Sequence, residues 1–344
     1  MLLSSLEAIT DTLLEIMESC KKDMENCDWI DVWTDLARRF AFQFNPALQP
    51  RAIIVYGAIS KTATEADIKQ LLRMMVKALE SHSDIDLIES IVMCLTRLLP
   101  LLTAKSSLHK FMFWISISIL QLEDAGLYVA GLALLEQNLH TLEAHGLLEN
   151  QSFEKLMMDA REPLEWQFKQ LDQAVGLSFK SKFHFALVGH LIKGFRHPVQ
   201  NTVARTIRLL HILLNIVAKS EKRDKFHVTA TSVPYLAALV SVSEEVRCRC
   251  HLKYNKFYKN NSVETPVNNN NQPSKNFTNL TTINNENKKT MTIATQLGTI
   301  SLMTQSPSND SLLDNEPNSN TLSPLRLETN ESIANSLTSS SIHK

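Results

Sequence analysis

Residues 199–219 read VQNTVARTIRLLHILLNIVAK, and this stretch decides the fold class. Val203, Ile207, Leu210, Leu214 and Val217 recur at three- and four-residue steps, the spacing that puts side chains on one face of a helix. Leu209, Ile212, Leu213 and Ile216 widen that stripe well beyond a single face. A helix apolar over most of its circumference is stable in water only when neighbours cover more than one of its sides. The stretch therefore predicts stacked helices rather than one amphipathic helix on a surface.

Working outward, the same periodicity continues almost without a break. Ser4 and Glu7 form a capping-box pattern, followed by Leu6, Ile9, Leu13, Ile16 and Cys20, so a first helix is expected over Ser4–Lys22. Trp29, Trp33, Leu36 and Phe40 make a second stripe, and Asn45-Pro46 reads as the cap and first turn of a third helix. Further helices are expected over Glu65–Glu80, Asp84–Leu101, Ser107–Leu122 and Ala125–Ala144, the last stopped by Gly146. Later ones fall at Phe153–Ala160, Pro163–Val175, Lys182–Lys193, Val199–Lys219, Val233–Val240 and Glu244–Tyr254. Leu36, Leu72, Leu135, Trp166, Leu187 and Leu210 are expected in the core. Helix pairs begin roughly 40 residues apart, near Ser4, Asn45, Asp84 and Ala125, which is the scale of HEAT and armadillo units. The expected fold is all-α, a HEAT/armadillo-like α-solenoid over residues 1–254.

Composition agrees: 8 glycines and 11 prolines in 344 residues leave a chain rich in good helix formers, and 44% hydrophobic residues supply a sizeable core. Beyond Tyr254 the sequence turns to Asn, Ser and Thr, too poor in apolar clusters to offset its ordering entropy. Residues 255–344 are expected to be a disordered low-complexity tail, with Ser306-Pro307 and Ser323-Pro324 as proline-directed phosphorylation sites. The most apolar run, Phe111–Leu120, is half of the roughly 20 residues a bilayer span needs and reads as a buried helix. Lys and Arg (35) nearly balance Asp and Glu (36), so no whole-chain charge favours nucleic acid or an anionic membrane surface. Five scattered cysteines and no leader pattern suit a reducing cytosolic or nuclear compartment.

The chemistry sought in the sequence is mostly missing. The glycines are isolated, with neither a GxxxxGK[ST] phosphate loop nor a GxSxG elbow. Arg38, Arg39, Arg161, Arg205 and Arg208 sit in helical patterns and read as solvated or ion-paired rather than as fingers for phosphoryl transfer. Cys248, Cys250 and His251 lack paired CxxC spacing and a fourth ligand, and His184 and His190 are six apart, off the i, i+4 register. No catalytic, cofactor or metal site is expected. The polar side of the 199–219 helix is the best candidate surface: Arg205, Arg208, His211 and Lys219 share it with Asn201 and Asn215. A second basic cluster holds Arg247, Arg249 and Lys253, running on to Lys259 among Tyr254, Phe257 and Tyr258. Read functionally these dock an acidic protein surface, anionic lipid or RNA; read structurally they are the charged face a helix shows to water.

Five strings are more specific than periodicity: NPALQPRAI (45–53), LLEQNLHTLE (134–143), PLEW (163–166), FALVGHLIKGFRHP (185–198) and VSEEVRCRC (242–250). In order, over about the first 250 residues, the chain resembles the neurofibromin family. That resemblance implies a piece of a very large negative regulator of Ras, a GTPase-activating protein. It also implies a place downstream of the catalytic domain and the Sec14-like and PH-like lipid-binding modules, in the helical region associated with assembly. None of those modules is read here, so GTPase activation is not expected of this chain, and the Asn-rich tail departs from the family. The start at Met1 inside a helical array, without a polar capping repeat, is expected of a fragment. The resemblance implies a cytoplasmic scaffold that forms a homodimer through its helical repeats and meets flanking repeats of a longer protein. A Ras-family GTPase would be met only through regions absent here, and the full-length context leaves membrane association or a nuclear location open. The alternative is a membrane-surface or nucleic-acid adaptor using residues 247–259.

Overall fold

The computed structural model describes residues 3–23, 28–81, 84–149, 151–218 and 228–242. The helix expected at Glu244–Tyr254, the composition break and the 255–344 tail lie outside the described residues. Among the described residues every regular element is helical. The elements are α1 (Leu3–Lys21), α2 (Trp29–Phe42), α3 (Gln49–Ile59), α4 (Glu65–Ser81), α5 (Ile85–Leu98) and α6 (Leu108–Leu120). They continue with α7 (Ala125–Ala144), α8 (Phe153–Arg161), α9 (Glu165–Val175), α10 (Phe179–Leu191), α11 (Gln200–Ala218) and α12 (Val233–Val242). Short 3-10 turns extend α5 to Leu101, fill Glu162–Leu164 and carry α10 on to Arg196.

Helix ends follow local chemistry. Asp84, Asp124 and Ser152 each accept a hydrogen bond from a backbone N–H three residues on, capping α5, α7 and α8. Gly146 stands just past α7 at φ +66°, a left-handed conformation that a side chain resists. Two expected starts are corrected. Ser4 lies inside α1 rather than at its cap, and the Glu7 carboxylate is taken by Arg97 of α5 at 2.9 Å. Asn45 caps a turn over residues 46–48, accepting from the Ala47 and Leu48 amides, so α3 begins at Gln49 with Pro50, not Pro46, in its first turn.

The packing follows a repeated rule. Helix α1 lies on α3, α3 on α5, α5 on α7 and α7 on α11, while α2 flanks α3, α4 flanks α5 and α6 flanks α7. Further along, α8 and α10 pack on α6, and α12 packs on α10 and α11. Gly57 of α3 shows how tightly the row is drawn: a Cβ there would stand 3.0 Å from both Cα and Sγ of Cys94 on α5. One continuous core joins Ile53, Leu72, Leu95, Leu135, Leu187 and Leu210, all fully buried. Helix α6 is enclosed from Met112 through Leu120; there the Ser116 and Ser118 hydroxyls donate to carbonyls four residues back, and Trp114 Nε1 donates to the Met157 carbonyl at 2.8 Å.

Two residues expected in the core lie outside it. Leu36 and Trp166 are 47% and 69% exposed, and Ile9, Leu13 and Ile16 face water as well. On α2 the covered residues are Ile30, Ala37 and Ala41, with Trp29 and Trp33 half-buried at the edge. Helices α1 and α2 each carry an apolar stripe that no described element covers.

Candidate docking surfaces

The polar side of α11 does not stand free of the rest of the fold. Glu136, on α7, accepts from Arg205 Nε at 3.0 Å and from Arg208 Nε at 2.6 Å. One largely buried carboxylate thus partly neutralises two of the candidate cations, tying α11 to α7. His211, Asn201 and Asn215 are exposed on the same side of α11. Lys219, Arg247, Arg249 and Lys253 lie outside the described residues. Glu136 precedes Arg205 by 69 positions, so nothing in the local pattern of α11 signalled this pairing.

The buried polar groups serve packing. Arg161, read from the sequence as a solvated or ion-paired residue, has a fully buried side chain. Its guanidinium donates to Asp172 at 2.7 Å and Glu165 at 3.2 Å and lies over the rings of Phe168, Trp114 and Phe179 at 4.8–5.6 Å. Asp172 also accepts from the Phe179 amide, so one carboxylate fixes both the arginine and the start of α10. His184 Nδ1 lies 2.9 Å from the Tyr235 hydroxyl and its Nε2 3.4 Å from Glu154. Burial lowers the His184 pKa and the Glu154 carboxylate opposes that shift. Tyr235 is fully buried and His184 nearly so, while Glu154 stands partly exposed at the end of this Tyr–His–carboxylate chain. His190 stacks on Phe179, and burial, reinforced by Lys193, lowers its pKa to about 3. Burial raises the Cys94 pKa, leaving its thiol an inert packing group. Among the described residues no group of three or more His, Cys, Asp or Glu side chains could hold a metal ion, and no helix is long and apolar enough to cross a membrane.

The surface that the sequence reading missed is the uncovered side of α1 and α2. On α1, Glu7 and Asp11 reach Arg97 of α5, and at about 100° per residue Ile9, Leu13 and Ile16 fall on the opposite face. On α2, Arg38 pairs with Asp67 of α4 at 2.6 Å, and Val32, Leu36 and Phe40 fall on the opposite face. Both stripes therefore point away from the helices that follow; the named residues of each are apolar, and on α2 the exposed Arg39 borders the stripe one turn on from Leu36. These six large apolar residues are each 38–59% exposed, grouped three to a helix rather than scattered singly. The apolar periodicity was legible in sequence; the lack of cover was not, because a stripe reads the same whether a neighbour lies on it or not. No protein-family model matches the chain.

Proposed function

We propose that this chain is a non-catalytic scaffold, a HEAT/armadillo-like α-solenoid segment of a neurofibromin-like negative regulator of Ras signalling, and that it self-associates through the open face of α1 and α2. The observation that carries the assembly role is that face: an apolar stripe on each of two helices, poor in charge, that no described element covers. Depletion of charge is the compositional mark of an interface core. The solenoid reading is supported by the row α1, α3, α5, α7, α11 with its flanking helices, since stacked layers are stabilised mainly by their neighbours. The link to Ras regulation is supported by the five strings quoted above. Any GTPase activation belongs to parts of such a regulator that this chain does not supply.

Light scattering and circular dichroism on the full chain over a concentration series test the assembly role. The expected result is a helical dimer that dissociates on dilution, and a Leu13→Glu/Leu36→Glu variant that keeps the helicity but stays monomeric. Both positions are about half exposed, so the charges do not disturb the core. A helical monomer at every concentration would overturn self-association through this face.

A further inference from the structure

A second surface takes a different kind of partner. Where α2 ends, α3 begins and α4 meets the start of α5, the chain forms a half-open groove of about 660 Å³, within the size range of binding clefts. Its apolar floor is Phe42, Met74 and Leu87, each partly buried against the core, and Phe42 is held edge-on to Tyr56 at 5.6 Å. Phe44 stands at the rim and is 84% exposed. The groove is built on fixed elements: the Gln49 side chain donates through Nε2 to the Ala41 carbonyl at 3.0 Å, locking the corner between α2 and α3. One wall carries Arg73 and Lys77, exposed on α4 at the i, i+4 spacing that sets two side chains about one helical turn apart. The Asp84 carboxylate also lines the groove, and it is occupied in accepting the Leu87 amide at 3.0 Å as the cap of α5. The cleft is therefore apolar along its floor and carries two cations against one committed anion.

We propose that this groove docks an acidic amphipathic helix of a partner protein. Carboxylates one turn apart on that helix would pair with Arg73 and Lys77, and its large aliphatic side chains would lie between Phe44 and Met74. The excess of positive charge favours an acidic partner over a basic one, and the open apolar floor suits a helix laid lengthwise, with the unbranched thioether of Met74 adapting to its side chains. This interaction goes beyond the scaffold reading, and its charged residues, Arg73 and Lys77 of α4, are remote in sequence from Leu13 and Leu36.

The test is fluorescence anisotropy with the full chain and a labelled synthetic peptide of about 14 residues, long enough for roughly four helical turns. The peptide carries two glutamates four residues apart beside a leucine stripe; a control replaces both glutamates by glutamine. The acidic peptide is expected to bind at least about tenfold more tightly than the control, and Arg73→Glu/Lys77→Glu is expected to remove that preference. Phe44→Ser should weaken both peptides by several-fold through loss of the aromatic rim. Equal binding of the two peptides, or an acidic preference that survives the Arg73→Glu/Lys77→Glu change, would overturn the proposal. Binding abolished instead by Leu13→Glu/Leu36→Glu would place the peptide on the α1–α2 face and would also overturn it. Light scattering on Arg73→Glu/Lys77→Glu reads self-association separately, so the groove can fail while the scaffold stands, and the reverse.

Discussion

At the scale of single residues, this chain places ionisable groups where water cannot reach them. His190 is the clearest case, its ring flat against Phe179 and one nitrogen 3.4 Å from the Gln121 amide. Its folded pKa is depressed to about 3, below the ordinary histidine value near 6.5. Between those values the unfolded chain takes up a proton that the folded chain refuses, so stability is lost as pH falls below 6.5. One such histidine contributes a slope of about 1.4 kcal/mol per pH unit. His109 and His184 shift in the same direction and steepen it. Urea unfolding at pH 7, 6 and 5 should show stability dropping on acidification, and His190→Gln should shallow the slope by about one proton. An unchanged slope in that variant would mean that His190 is not held neutral. The i, i+6 spacing of His184 and His190 reads in the sequence as two structural histidines, whereas the depth of burial that shifts their pKa values depends on packing and was not legible there.

At the scale of elements, the informative contrast is between stripes that are covered and stripes that are not. Leu210 on α11 and Leu36 on α2 belong to equally good apolar repeats, yet Leu210 is fully buried and Leu36 is 47% exposed. Leu210→Ala should cost about 2 to 5 kcal/mol, the usual range for emptying a packed site. Leu36→Ala should stay within about 0.5 kcal/mol when measured on monomer by urea denaturation. The helices themselves were legible nearly end to end, because 3.6-residue periodicity and capping are local signals: α7 begins and ends at the expected residues, and α4 and α8 overrun by one. Errors arose where a distant partner decides. Helix α10 is expected from Lys182, and the chain does break there, at a non-helical φ −148°, ψ 58°; the turn from Phe179 that precedes the kink was missed, and it is held by Asp172, which accepts the Phe179 amide. Trp166 read as core as an apolar position of a helical array, but it is 69% exposed on α9.

At the scale of the whole molecule, the fold class was legible and the surfaces were not. An almost unbroken helical period dictates helices, and an all-round apolar helix dictates layers; which outer sides remain open depends on pairings such as Arg38–Asp67 and Arg97–Glu7 that bridge 29 and 90 positions. The candidate basic stripe illustrates the limit, since Arg205 and Arg208 were identified but Glu136 was not. One earlier feature, the close approach of Gly57 to Cys94, gives the layered arrangement a clock. The Cys94 thiol is sealed between α3 and α5, whereas Cys20 on α1 is open to solvent. A thiol reagent should modify Cys20 at once, while Cys94 waits until α3 and α5 part, so site-resolved mass spectrometry would time that opening directly. Comparable labelling rates at the two sites would show that the α3–α5 layer breathes freely. A slow rate at Cys94 that slows further at high protein concentration would mean that joining two ends restrains a seam in the interior, making each copy a brake on the other's unzipping.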